Sequence, residues 1–256
     1  MHPLYGVAGV LVGLLVGLTG VGGGSLMTPI LVLFFGFHPA TAVGTDLLYA
    51  SATKAVGTSV HGWRGTVDWR VVRRLATGSV PATLATIGAL ALAHARAEDI
   101  GPVITDVLGV ALVLTGIATF LRKRLVAALT ERFGGADERG IARWTVLLGA
   151  MLGALVTLTS VGAGALGMTA LIILYPRLPT AKLVGSDIAH AVPLTLIAGI
   201  GHWTLGSVDL SLLVSLLVGS VPGIIIGSLI ATRLPEHMLT PVLALTLTIV
   251  GVRLLA

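Results

Sequence analysis

The sequence predicts an all-α polytopic membrane protein made of two internal repeats, and three observations carry that prediction. Hydrophobic residues make up 55% of the chain and charged residues 11%, with a mean hydropathy of +1.01; a soluble domain carries about 25% charged residues. Apolar runs long enough to span hydrocarbon recur along the whole length. The chain also repeats itself. Leu18-Thr19-Gly20-Val21-Gly22-Gly23-Gly24-Ser25-Leu26 returns as Leu158-Thr159-Ser160-Val161-Gly162-Ala163-Gly164-Ala165-Leu166. Residues 44–82 align without a gap to 185–223, with 12 identities in 39 positions, among them Asp46/Asp187, His61/His202, Asp68/Asp209 and Pro81/Pro222. A period of about 140 residues is too long for a solenoid unit and matches half a membrane transporter.

Composition narrows the chemistry. Glycine is 34 of 256 residues, roughly twice the usual ~7%, which in a membrane bundle lets helices approach closely and permits breaks. Cysteine is absent, so disulfides, thiol catalysis and thiolate metal sites are excluded. The net charge of +5 comes from arginines at span ends, a topology signal, and calls for no nucleic-acid partner. The N-terminal stretch lacks a basic n-region and runs straight into the glycine cluster, so it is expected to be mature structure and not a signal peptide.

In chain order, full-length apolar segments are expected at roughly 42–61, 75–94 and 102–121, and again at 182–203, 212–232 and 238–255. Two further regions, about 5–36 and 143–175, are each too long for one span and too short for two, and each is cut by its glycine cluster. The halves of the first would measure about 22 and 18 Å at 1.5 Å per residue, short of the ~30 Å hydrocarbon core. Each region is therefore either one long broken crossing, giving parallel repeats, or a re-entrant hairpin, giving three crossings per half and inverted repeats.

The positive-inside rule favours the hairpin. The basic linker 122–143 (Arg122, Lys123, Arg124, Arg132, Arg139, Arg143) marks the cytoplasmic side, shared by Arg64, Arg70, Arg73 and Arg74. With hairpins, Arg177, Lys182 and Arg233 join them, giving 13 basic residues inside against Arg96 and Arg253 outside; with broken crossings the count is 11 against 4. The expected organisation is an N-terminal transmembrane repeat (1–121), the basic linker (122–143), solvated over 131–143, and a C-terminal transmembrane repeat (144–256), in a multi-pass protein of the cell membrane.

A glycine break at mid-depth leaves backbone groups unpaired, which is tolerated only where the break is buried or faces water. The helix restarting after it presents free N–H groups and its positive end, so two breaks meeting near the midplane would bind an anion without a formal charge. Candidate anion ligands are Gly22, Gly23, Gly24 and Ser25 in the first copy and Gly162, Ala163 and Gly164 in the second. Thr19, Thr28, Thr159 and Ser160 are candidate hydroxyl donors. The alternative is that these glycines serve only close helix packing.

Asp46 and Asp187 each follow a Thr or Ser near the start of a span. They read either as N-caps or as membrane carboxylates that take a coupling proton or cation. Lys54, two turns after Asp46 and matched by the neutral Thr195, reads as a substrate counter-ion or an ion-pair partner of either aspartate, with snorkelling as the alternative. His190, one turn after Asp187, is placed to share its proton. His61 and His202, beside Trp63 and Trp203, look like interfacial span ends. Asp68 and Asp209 read as N-caps, and Pro81 and Pro222 as kinks. No spacing suggests a metal site, and nothing calls for a cofactor.

Gly20-Val21-Gly22-Gly23-Gly24-Ser25-Leu26-Met27-Thr28-Pro29 resembles the GxGGGxLxxP signature of the TauE/SafE (sulfite exporter, toluenesulfonate uptake) family of membrane transporters. The stretches 39–45 and 65–70 are similar to the family's pattern downstream of that signature, and the resemblance covers nearly the whole chain. It implies secondary transport of small sulfur-containing anions such as sulfite or sulfonates. Many relatives have Ser where Asp46 stands, and the second copy has Ala163 and Thr169 where the first has Gly23 and Pro29. The expected function is thus an anion transporter coupled to protons; an anion channel shares the same site. An intramembrane hydrolase built on Ser160 is the third reading, but Ser160 lacks a GxSxG frame, so the chain is expected not to be an enzyme.

Overall fold

The computed structural model describes residues 3–19, 24–94, 101–133, 137–231 and 236–256. Every regular element among these residues is an α-helix. The first series is α1 (Pro3–Thr19), α2 (Gly24–Leu33), α3 (Pro39–Trp63), α4 (Trp69–His94) and α5 (Gly101–Phe120). After α6 (Arg122–Phe133) comes a second series: α7 (Glu138–Thr159), α8 (Ala165–Leu174), α9 (Thr180–Thr204), α10 (Leu210–Ala231) and α11 (Glu236–Leu255). Four helices among the described residues are long and apolar enough to cross a membrane: Trp69–Ala93, Gly101–Phe120, Glu138–Thr159 and Thr180–Thr204. A helix satisfies its backbone polar groups within the segment, which is what hydrocarbon demands.

The joints are written in the sequence. Gly65 and Gly206 have φ of 66° and 74°, the left-handed conformation that ends a helix at little cost only with glycine. Around Gly65, Thr66 N–H reaches His61 C=O (3.0 Å) and Gly65 N–H reaches Gly62 C=O (3.1 Å); around Gly206, Ser207 N–H reaches His202 C=O and Gly206 N–H reaches Trp203 C=O, both at 2.9 Å. Both are Schellman closures. Three residues after each glycine, Asp68 and Asp209 start the next helix as N-caps, accepting from Arg70 N–H and Leu212 N–H at 2.9 Å.

The helices pair across the two series. α1 packs on α10 and α4 on α7, while α5 packs on α11 and α3 on α9. Small residues set the spacing: Gly9 and Gly13 of α1 lie against the backbone of Leu216 and Ser220, as Gly149 and Gly153 of α7 lie against that of Leu75 and Ser79. Apolar side chains such as Val110, Leu114 and Ile117 of α5 and Ile225 and Ile226 of α10 face outward, as expected of surfaces solvated by lipid.

α7 and α8 form an antiparallel hairpin. The Tyr175 hydroxyl, just after α8, lies 2.8 Å from the Thr145 hydroxyl in the second turn of α7. Arg74 donates to Tyr175 (3.3 Å) and to Glu138 (2.9 Å), tying the start of α4 to both ends of that hairpin. In the first series the Tyr5 ring meets Phe35 and Phe37 at 5.4 and 5.5 Å between centroids, so the start of α1 lies beside the exit of α2. The stretch expected as a linker is largely helical. Residues 122–133 form α6, which packs on α8. α7 begins at Glu138, capped by Asp137 accepting from Gly140 N–H at 2.9 Å, so Glu138, Arg139 and Arg143 belong to a helix.

Candidate functional site

The break between α7 and α8 is built by two residues with positive φ, Ser160 (58°) and Gly162 (112°). Ser160 closes α7 by donating its amide to Val156 C=O at 2.7 Å. The Thr159 hydroxyl donates to Leu155 C=O (2.7 Å) and accepts from Val161 N–H (3.1 Å), so it shapes the turn from within. Gly162 C=O accepts from both Leu166 and Gly167 N–H at 3.1 Å. No acceptor among the described residues takes the amides of Ala163, Gly164 and Ala165. These are the orphan donors of a helix start, here buried at Ala163 and Ala165. Of the first cluster, Gly22 and Gly23 lie outside the described residues, as do the side chains of Thr19 and Ser25; Gly24 opens α2 and Thr19 ends α1.

Asp46 and Asp187 are not caps. Each is the eighth residue of a helix, α3 and α9, and each is buried. Asp46 Oδ2 accepts from the Thr28 hydroxyl of α2 at 2.5 Å, and the Ser160 hydroxyl lies beside the same carboxylate. Asp46 thus touches the short helix of its own series and the break of the other. Asp187 lies against Gly167 of α8, where a methyl group would sit 2.9 Å from Oδ1.

The residues before each aspartate explain its position. Gly44 and Gly185 leave no room for a Cβ against the carbonyls of Ser207 and Thr66, so each series docks its Schellman turn on the other's helix. The adjacent hydroxyls complete the joint: Thr45 accepts Asp209 N–H at 3.1 Å and Ser186 accepts Asp68 N–H at 2.8 Å. The Gly-Thr-Asp and Gly-Ser-Asp triplets therefore supply a seat, a latch and a buried carboxylate in turn.

α3 and α9 run antiparallel, with Leu48 beside Gly199, Ile188 beside Gly57 and His61 beside Gly185. That geometry sets the two aspartates toward opposite ends of the contact, with Lys54 between them. Lys54 is half-buried and within electrostatic reach of Asp187, Asp46 and His190, yet the ion pairs of the described residues, Arg70–Asp68 and Arg74–Glu138, do not include it. His190 is fully buried, with Nε2 at 2.8 Å from the Ser79 hydroxyl of α4. Asp46 Oδ1, Ser160 Oγ, Asp187 Oδ1, His190 Nδ1 and the Tyr49 hydroxyl are buried without a hydrogen-bond partner among the described residues. Native proteins leave few such atoms, and burying a charge unpaired is costly. Three of them, on Asp46, Asp187 and His190, belong to residues in electrostatic reach of Lys54, and Ser160 and Tyr49 lie near Asp46.

Elsewhere, His202 is buried, donating its Nε2–H to Thr157 C=O at 2.9 Å, which corrects its reading as an interfacial residue; His61 is half-buried, 2.8 Å from the Thr66 hydroxyl, and Trp63 and Trp203 are exposed. Among the described residues no cluster of three His, Asp or Glu could hold a metal ion. Sequence reasoning passes over Ser79, Tyr49 and Ser220. The repeat alignment holds the signal, because Ser79 matches Ser220 and Tyr49 matches His190. Tyr49 lies beside Ser220 much as His190 lies beside Ser79.

The model of the family described as "Sulfite exporter TauE/SafE" matches residues 5–254. A protein of Bacillus subtilis, "Probable membrane transporter protein YjnA", is 38% identical over 251 residues, covering 96% of this chain and 97% of that protein. A "Probable membrane transporter protein" of Xylella fastidiosa is 28% identical over 96% of this chain and 91% of its own length. The B. subtilis "Probable membrane transporter protein YdhB" is 27% identical, covering 96% of both. No solved structure matches the chain.

Proposed function

Because the chain belongs to the sulfite exporter TauE/SafE family of membrane transporters, we propose that it carries a small sulfur-containing anion, sulfite or a sulfonate, across the cell membrane together with a proton. The anion sits near mid-membrane between the two helix breaks. Its ligands are the amides of Ala163 and Gly164 with Gly162 and Ser160 around them, the matching 22–25 segment and Lys54. Asp46, Asp187 and His190 are the candidates for the coupling proton.

The observation that carries this reading is a set of buried groups without a partner among the described residues: Asp46, Asp187 and His190 in reach of Lys54, and the Ser160 hydroxyl beside Asp46 at the lip of a break whose amides are also free. A helix start and a lysine attract an anion. A carboxylate on either side of that lysine repels the anion unless it is protonated, which makes anion and proton uptake interdependent. The architecture follows as two inverted repeats, 1–121 and 144–256, joined by 122–143. Support comes from the crossed pairings α1–α10 and α4–α7, from Tyr175 after α8 meeting Thr145 near the start of α7, and from Phe35 after α2 meeting Tyr5 near the start of α1. An inverted pair places its site between the halves at the midplane.

Purified protein in proteoliposomes tests the reading with radiolabelled sulfite, with and without a pH gradient. The expected result is uptake accelerated by inward proton drive and counter-flow exchange. Uptake without counter-flow would assign the site to a channel, and no anion flux from folded protein would refute it.

A further inference from the structure

We infer that Ser79 is a positioning residue that holds His190 as a neutral Nδ1–H donor, so that His190 joins Lys54 in binding the anion and the proton is carried by Asp187. The inference rests on the transport reading above and divides its polar cluster into two roles.

One hydroxyl decides the tautomer. Ser79 is fully buried in α4. Among the described residues its hydroxyl has a single hydrogen-bond partner, His190 Nε2 at 2.8 Å; no carbonyl of its own helix takes it. A hydroxyl has one proton to give, and a buried donor left without an acceptor costs about 1–3 kcal/mol. If His190 carried its proton on Nε2, or on both nitrogens, Ser79 would accept and its own proton would have nowhere to go. Only one arrangement gives the Ser79 proton an acceptor: Ser79 donates to an unprotonated Nε2, which leaves Nδ1–H as the donor open to a guest. The hydrogen bond on one ring nitrogen fixes the state of the other, so Nδ1 carries the proton.

That Nδ1 is buried and has no acceptor among the described residues. The charged and titratable groups around the ring are Lys54 from α3 and Asp187 one turn back on α9, with Asp46 beyond Lys54; α4 brings only Ser79. Nδ1–H and the Lys54 ammonium are two donors of one neighbourhood, and an oxyanion is the guest that satisfies both. Asp187, whose Oδ1 is also partnerless, is then the group in this half that can take up a proton. The other half has Tyr49 in the place of His190, so only one half of the site carries this donor.

The test has two arms. In the first, wild-type protein with ¹⁵N-labelled histidine in nanodiscs is studied by solid-state NMR, and the His190 signals are assigned by their loss in His190→Asn. Across neutral pH, a protonated Nδ1 and an unprotonated Nε2 are expected, and Ser79→Ala should release this preference. A wild-type His190 protonated on Nε2 or on both nitrogens overturns the inference. In the second arm, sulfite flux is measured from acid to alkaline pH. His190→Ala should raise the half-saturating sulfite concentration about tenfold or more, the scale of a lost hydrogen bond to a charged group. His190→Asn keeps a donor near the Nδ1 position and should lose less, and both variants should keep the wild-type pH profile. Loss of that profile in His190→Asn would make His190 the proton carrier and overturn the assignment alone. Absence of flux in the wild type would instead remove the transport reading itself.

Discussion

Thr28 in α2 and Asp46 in α3 are joined by a 2.5 Å hydrogen bond in which a buried hydroxyl donates to a buried carboxylate. It ties the short helix after the first glycine cluster to the long helix that carries Asp46 and Lys54. Removing one partner leaves the other buried and unsatisfied. Thr28→Val is expected to destabilise the protein by about 1.5–3 kcal/mol, read as a lower unfolding midpoint in detergent, with Thr28→Ser closer to the parent. Equal midpoints for Val and Thr would mean that the bond contributes nothing.

Asp187→Asn separates binding from coupling. If the anion binds only when this carboxylate is protonated, wild-type sulfite flux falls as pH rises through its titration. Asparagine is permanently uncharged, so the variant should show a flat profile, with alkaline flux no lower than acid flux. A variant that keeps the wild-type slope would move the coupling proton to another group.

Glycine spacing between α4 and α7 gives a stability test with its own control. A Cβ at Gly78 would collide with the Val146 carbonyl and stand 2.7 Å from Ala150 N, both rigid backbone. Gly78→Ala should cost about 1–3 kcal/mol as overpacking. Gly88 in the same helix has nothing within 4 Å, so Gly88→Ala should be neutral or stabilising by up to about 1 kcal/mol through helix propensity. Similar melting temperatures for the two variants would refute the close approach of α4 and α7.

The absence of cysteine allows single cysteines to report sidedness without background. In whole cells, Lys123→Cys, Arg64→Cys and Arg177→Cys should be shielded from an impermeant maleimide, and Phe34→Cys and Thr204→Cys should react; the parent residues are all exposed. Labelling of position 177 together with shielding of 123 would make α7 and α8 a single broken crossing and discard the inverted arrangement.

Legibility in the sequence tracks the range of the interaction. The glycine breaks, the Gly65 and Gly206 turns and the Asp68 and Asp209 caps depend on neighbours a few residues away, and local chemistry announces them. Asp46 and Asp187 stand out as charges in apolar surroundings, but cap and site look alike in the sequence; the helices begin at Pro39 and Thr180, and that separates them. A helix start can shift by two turns when the residues ahead of it, here 39–45 and 180–186, are themselves compatible with helix. The seating role of Gly44 and Gly185 is invisible in the sequence, because the turns they receive lie more than a hundred residues away.

The sequence by itself determined that this is a helical membrane protein with a duplicated pattern and glycine-interrupted segments, because hydropathy, charge and turn chemistry are properties of short stretches. Only the tertiary structure decided that Ser79 meets His190, that the Ser160 break lies beside Asp46, and that Lys54 stands between two carboxylates on helices running in opposite directions. Those contacts join residues distant in the chain, and their energies exist only once the helices have packed.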